Sequence, residues 1–353
     1  MLLLLVCTLT ACNGSERSKP PAAPAPIGAA PLAGFATGYQ LLYESADELN
    51  RDLSLIAATG AKWLRFDVAW AEVEKVQGAY DWEMVDRVVG AAKQRGLRLL
   101  ATLAYTPEWA RPPGTDDKTA PTTDEQRAAY GVFAQSATAR YLLDIDAWEL
   151  WNEQNIVQFW APKPDARSYV ALAHQASVGI RSVDPDAVIL LGGLAPAQDG
   201  ATSSSPMTYL RAVYDAGIAP DITAVAIHPY AFPRGPLASS NLFQQLPELH
   251  DVMRERGDEA KQIWATEYGA PTGGPSDQRV TEAQQAQFVV DAFNQAAEWP
   301  WMGPLFWYSH RDKGTNPGDR EDHFGLWRVD FSTKPAYDVF TIEMQLPTTT
   351  TGS

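Results

Sequence analysis

Between residues 34 and 346, short apolar runs rich in β-branched and aromatic residues alternate with longer stretches whose apolar positions recur with the period of a helix. Eight runs read as strands, opening near Phe35 (FATGY), Trp63 (WLRFDVAW), Arg98 (RLLATLAYT), Ala147 (AWELWNE), Val188 (VILLGGLA), Ile222 (ITAVAIHPY), Gln262 (QIWATEYG) and Gly303 (GPLFWYSH). Segments such as ADELNRDLSLIAATG, DWEMVDRVVGAAKQRG, TDEQRAAYGVFAQSATARY, ARSYVALAHQASVGIRSVD and TEAQQAQFVVDAFNQAAEW read as helices. Several are opened by Ser, Thr or Asp and closed by Gly or Asp-Pro. Such alternation requires a parallel sheet with crossover helices, and eight βα units of roughly 30 to 50 residues match a single-domain α/β fold, the (β/α)8 TIM barrel. A doubly wound open sheet would carry a Gly-rich first turn, and GYQLLYES is not one. No second linker interrupts residues 34–346.

The flanks follow other rules. Residues 1–12 (MLLLLVCTLTAC) are an apolar run too short to span a bilayer but suited to a signal peptide, and Leu9-Thr10-Ala11-Cys12 resembles a bacterial lipobox that ends at a lipidated Cys12. No Lys or Arg precedes the run, so the true start is expected upstream; an ordinary cleaved signal is the plainer reading. Residues 13–33, rich in Pro and Ala, suit a disordered tether, and 347–353 a disordered tail. The expectation is an exported protein, lipid-anchored to the outside of a bacterial membrane and touching it only through that anchor. Cys7 and Cys12 are the only cysteines, so the body has no disulfide and no thiolate metal site.

Composition narrows the partners. Lys and Arg number 28 against 43 Asp and Glu, a net charge of −15, which leaves no basic stripe for nucleic acid. No HExxH, CxxC or Asp-rich calcium loop appears, so no metal and no cofactor are expected. Twelve Trp are an excess, and Trp faces suit a sugar-binding cleft. A monomer acting on a polysaccharide or oligosaccharide fits this balance.

Active sites of this fold lie at the C-terminal ends of the strands. Those ends carry Arg65, Asp67 and Trp70; Tyr105 and Trp109; Asn152 and Glu153; His228 and Tyr230; Glu267 and Tyr268; and Trp307 and His310. Most acids are solvated surface groups. Glu153 and Glu267 differ because each closes a run that must be buried, where a carboxylate is costly unless paired or used. Glycoside hydrolysis uses such a pair, ~5–5.5 Å apart in retaining enzymes.

Trp151-Asn152-Glu153, Thr266-Glu267-Tyr268-Gly269, His228-Pro229-Tyr230, Arg65 and Trp307 stand in the order found in clan A retaining glycoside hydrolases, which the domain resembles from strand two to strand eight. The stretch from Trp63 to Trp109 and the segment HFGLWRVDFSTKPAYDVF are similar to family 39, including exopolysaccharide endoglycosidases, and to the cellulase-like family 5. The resemblance implies Glu153 as acid/base, Glu267 as nucleophile, Asn152 on the sugar 2-hydroxyl, Arg65 and Tyr230 on the nucleophile, His228 in the active site and Trp307 beneath the sugar. Two positions depart from it: Gln154 replaces the usual Pro, and the Ala104-Tyr105 region replaces a strand-three His.

Each residue has a plainer reading. Arg65 could pair structurally with Asp67, His228 could be a satisfied core histidine, and Asn152 a turn residue. Trp109 and Trp160, with Trp70 and Trp327, are candidates for further sugar subsites, whereas Trp63, Trp82, Trp148 and Trp264 read as packing. The charged loop from Arg311 to His323 reads as solvated. Competing functions are a non-catalytic carbohydrate-binding lipoprotein, a transglycosylase and a two-lobed solute receptor. The presence of both carboxylates weighs against the binding protein and the single lobe against the receptor, while hydrolysis and transglycosylation call for the same residues and are not separated by sequence.

Overall fold

The computed structural model describes residues 33–345. The expected leader, Cys12, the tether up to residue 32 and the 347–353 tail lie outside the described residues. Eight strands form one closed parallel barrel in chain order: β1 (Ala33–Ala36), β2 (Trp63–Ala69), β3 (Arg98–Ala104), β4 (Ala147–Asn152), β5 (Val188–Gly193), β6 (Ala224–Ile227), β7 (Gln262–Tyr268) and β8 (Met302–Tyr308). β8 pairs with β1 and leaves no open edge. β1 opens two residues before the expected Phe35 and β8 one before Gly303, whereas β6 opens two residues late, at Ala224, because Ala219–Asp221 forms a 3-10 turn ahead of it and the Thr223 hydroxyl is spent on the Ile189 backbone.

The main helices after the strands are α1 (Ala46–Ala58), α2 (Glu83–Lys93), α3 (Asp124–Tyr141), α4 (Ala166–Arg181), α5 (Pro206–Asp215), α6 (Leu246–Glu255), α7 (Glu282–Ala297) and α8 (Pro335–Gln345). Their starts follow the chain chemistry. Ser45 with Glu48, Thr123 with Gln126 and Thr281 with Gln284 form capping boxes that satisfy the first N–H groups of α1, α3 and α7. α3 and α4 approach most tightly at glycine: a Cβ on Gly179 would stand 2.3 Å from the Gly131 carbonyl oxygen.

Side-chain alternation divides the strands into two layers. One set (Phe35, Leu64, Phe66, Leu103, Leu150, Leu191, Leu305, Trp307) meets the helices, and the other fills the barrel. Trp63, Leu100, Ala147, Leu190, Ala224, Trp264 and Phe306 plug its lower half, with Trp63 and Trp264 edge to face at 5.1 Å. Above this plug the inward positions turn polar. Arg65, Thr102, Glu149 and Thr266 make the middle layer, and the mouth lies over them.

Candidate active site

The middle layer is a buried ionic cross-brace. Arg65, 1% exposed, directs Nε at Glu149 Oε2 (2.5 Å), Nη1 at Glu267 Oε1 (2.7 Å) and Nη2 at Asn152 Oδ1 (2.8 Å). Asp67 is not its partner. Glu149, fully buried, also accepts from the Thr102 hydroxyl (2.9 Å), the Gly193 N–H (2.9 Å) and the Thr266 hydroxyl (3.1 Å). Sequence reading missed Glu149, although its signal was available: an acid in the middle of an otherwise apolar strand is costly and marks a place where a buried partner or a use for the charge is to be sought.

Two irregularities aim the carboxylates. On β4, Trp151 takes φ 76° and Glu153 φ 51°. This left-handed backbone, rare for non-glycine residues, breaks the alternation after Glu149. Trp151 is sent among Tyr105, Tyr130 and Trp160 while Asn152 and Glu153 face the mouth. On β7 the register with β8 shifts between Ala265 and Tyr268. Thr266 and Glu267 therefore both reach the interior, and Tyr268 packs outward on Trp307.

His228 stands between the two acids, its Nδ1 2.8 Å from Glu153 Oε1 and 3.5 Å from Glu267 Oε2. Its Nε2 is buried against Gly193 without a partner among the described residues, so Nδ1 is the nitrogen that donates to Glu153; burial works against the charged ring, but Glu267 and Glu153 outweigh it and raise the His228 pKa. Only glycine fits beneath: a Cβ at Gly193 would stand 2.1 Å from His228 Nε2. Tyr230 donates its hydroxyl to Glu267 Oε2 at 2.8 Å. A ligand oxygen of each acid and a ring nitrogen of His228 lie within 4.8 Å of one another, which suits the close spacing of retaining chemistry rather than the ~6.5–9.5 Å of inverting chemistry.

The electrostatics of the two acids diverge. Burial and the nearby Glu267 charge raise the Glu153 pKa above the ordinary carboxylate range, with the His228 contact only partly opposing them. Burial also acts to raise Glu267, but the charges of His228 and Arg65 and the Tyr230 hydrogen bond outweigh it, and its pKa is lowered. One group tends to hold a proton and the other to lose it.

The remaining predicted residues separate. Asn152 lies in the mouth, its Nδ2 without a hydrogen bond among the described residues. Gln154 turns inward and donates to the Gly192 carbonyl, tying β4 to β5. Trp307 is corrected: it faces the helix layer, has no exposed surface and gives its indole N–H to the Phe324 carbonyl, so it has no free face for a sugar. Its neighbour Tyr308, half-buried, is the inward residue of β8, 6.2 Å from the Tyr230 ring and bonded to Glu321 and Lys313. Trp160 is corrected likewise, buried between Trp151 and Tyr169, and Trp70 and Trp327 are buried too. Trp109 is half-buried, with its indole N–H on the Glu74 carbonyl. The aromatic lining is instead Tyr105, Tyr230, Tyr308 and Phe232. His310 sits away from the chemistry, buried beside Glu44 and Asp52, whose carboxylates are already bound by Arg311 at 2.8 and 2.9 Å. A guanidinium thus occupies the place a metal ion would need.

A closed parallel barrel whose mouth holds two closely spaced carboxylates, one clamped by arginine and tyrosine, defines a retaining clan A glycoside hydrolase. The chain belongs to the cellulase family, glycosyl hydrolase family 5, whose model matches residues 25–309. No curated protein matches it in sequence. Its fold is similar to a family 39 glycoside hydrolase from Bacteroides cellulosilyticus WH2, with TM-score 0.73 and 24% identity over 92% of this chain and 65% of that one. The chain thus spans just under two thirds of that protein. A monomeric beta-xylosidase from Caulobacter crescentus CB15 aligns with TM-score 0.69 and 18% identity over 90% of this chain and 70% of that chain. A GH5_18 protein from Streptomyces cattleya in complex with GlcNAc gives TM-score 0.68 and 17% identity over 90% of this chain and 82% of that chain.

Proposed function

We propose that the protein hydrolyses glycosidic bonds of a polysaccharide or oligosaccharide by double displacement, with Glu153 as acid/base and Glu267 as nucleophile. The observation that carries this reading is the asymmetry of the pair: Glu267 is held by Arg65 and Tyr230, while among the described residues the Glu153 carboxylate is bonded only to the shared imidazole. Glu153 donates its proton to the leaving oxygen as ionised Glu267 attacks the anomeric carbon. Ionised Glu153 then takes a proton from water, whose oxygen displaces Glu267 from that carbon and restores both groups. Asn152, with a free amide N–H pair in the mouth, is placed to bind a sugar hydroxyl near the reacting carbon.

The test is product release from a panel of plant and bacterial polysaccharides. Glu267→Ala should be inactive, and azide should restore turnover as an inverted glycosyl azide. An unimpaired Glu267→Ala would refute the assignment. Substrates in the cell envelope or extracellular matrix, and a lipid anchor at Cys12, follow from the Leu9–Cys12 motif and belong to the same proposal. Labelled fatty acid should be incorporated by the wild type and not by Cys12→Ala.

A further inference from the structure

Asp67 lies one inward position above Arg65 on β2 and is 8% exposed. Among the described residues its carboxylate has no hydrogen bond and no ion pair, so only solvent reaches its oxygens, and a ligand that displaced that solvent without supplying donors would leave a costly desolvated charge. Its surroundings explain why no cation comes to it. Arg65 is committed to Glu149, Glu267 and Asn152. The Lys118 ammonium lies 4.4 Å over the Tyr105 ring and donates to both oxygens of Asp117, at 2.8 and 3.0 Å. Asp67 shares the inward side of β2 with Arg65, which binds the nucleophile, and its carboxylate oxygens are not sealed from solvent, so it faces the mouth one layer above Arg65. Burial raises its pKa to about 6, with the neighbouring acids adding to this and Arg65 partly offsetting it. Ionised, it offers acceptor sites on both oxygens and no donor of its own.

We propose that Asp67 is a substrate-binding, specificity-determining residue that accepts hydrogen bonds from two neighbouring hydroxyls of the sugar held beside Glu267. A sugar bearing a vicinal diol supplies the two donors that the protein withholds. A glycan lacking one of these hydroxyls leaves the carboxylate buried and unpaired, so discrimination arises from that penalty. This inference rests on the glycosidase reading of the site.

The experiment compares wild type, Asp67→Asn and Asp67→Ala. Substrates are β-linked gluco-, manno-, xylo- and galacto-oligosaccharides, their 4-nitrophenyl glycosides, and monodeoxy derivatives of whichever is cleaved best. Both variants should lose about 10- to 100-fold in kcat/KM on the parent sugar, the size expected for a charged acceptor of substrate hydroxyls. On the derivative lacking the bonded hydroxyl the loss should largely vanish. Both should melt at or above the wild-type Tm, because no protein contact of the carboxylate is broken. An active wild type with unchanged variants, a loss equal on parent and all deoxy sugars, or a lowered Tm would overturn the inference and leave the glycosidase reading standing. A wild type that cleaves none of the glycans would overturn both.

Discussion

Replacing Glu149 should damage both stability and catalysis, though it lies beneath the reacting groups. Both of its oxygens are filled: Oε2 by Arg65 and Thr102, Oε1 by Gly193 and Thr266. In Glu149→Gln the new NH2 must face a fixed N–H, either Arg65 Nε or Gly193 N, whichever way the amide is turned. Arg65, 1% exposed, also loses one of its two carboxylate partners and keeps only Glu267. Removing one partner of a buried ion pair costs about 3–5 kcal/mol. At roughly 2.1 cal/mol/K per residue, the folded length from 33 to 345 has an unfolding entropy near 0.66 kcal/mol/K, so Tm should fall by about 5–8 °C. An Arg65 no longer fixed at Nε also loosens its bond to Glu267, and weakening one charge-assisted hydrogen bond to the nucleophile should lower kcat about 10- to 100-fold with a smaller change in KM. Calorimetry and steady-state kinetics on the same preparation check both. The double variant Arg65→Met/Glu149→Leu should be less destabilised than the two single variants summed, because neither member of the Arg65–Glu149 pair is left buried without the other, yet remain inactive because Glu267 has lost its clamp. A Glu149→Gln protein with wild-type Tm and kcat would refute the reasoning.

Three further outcomes follow from the site. The pH profile of kcat/KM should be bell-shaped: as pH falls, activity drops first as Asp67 takes up a proton around pH 6 and then through the lowered pKa of Glu267, which must be ionised, and as pH rises it drops through the raised pKa of Glu153, which must be protonated. Tyr230→Phe removes a bond to the charged form of Glu267, so in the Asp67→Asn background, where Glu267 alone sets the acid limb, that limb should move to higher pH; an unmoved limb there would count against the pairing. Gly193→Ala should displace His228 and reduce kcat far more than Tm, as judged by kinetics and thermal melting, whereas equal retention of both would refute the steric argument. Trp307→Ala should cost about 3–5 kcal/mol of stability by emptying a core site, while Tyr308→Ala should chiefly raise KM, and the reverse pattern in melting and kinetics would refute the inward and outward assignments.

The strand and helix alternation, the helix starts at Ser45, Thr123 and Thr281, and the strand-end positions of Glu153 and Glu267 were legible in the sequence, because period, capping and burial are local properties of a chain segment. Which neighbour on a strand faces inward was not. Trp307 and Tyr308 differ by one residue, and only barrel closure decides that Tyr308 lines the mouth while Trp307 joins the core. The left-handed turn at Trp151 and the register shift on β7 are likewise set by contacts across the barrel, so a strict period-two reading could not supply them. The partners of Arg65 come from β4 and β7, with Glu149 lying 84 and Glu267 202 residues along the chain. Charge neutralisation at that separation depends on which strands share a layer. The sequence by itself determined the repeating unit and the chemical types at the strand ends; tertiary structure decided which of them share one low-dielectric space, because a buried charge is held only by groups that closure brings within hydrogen-bonding reach.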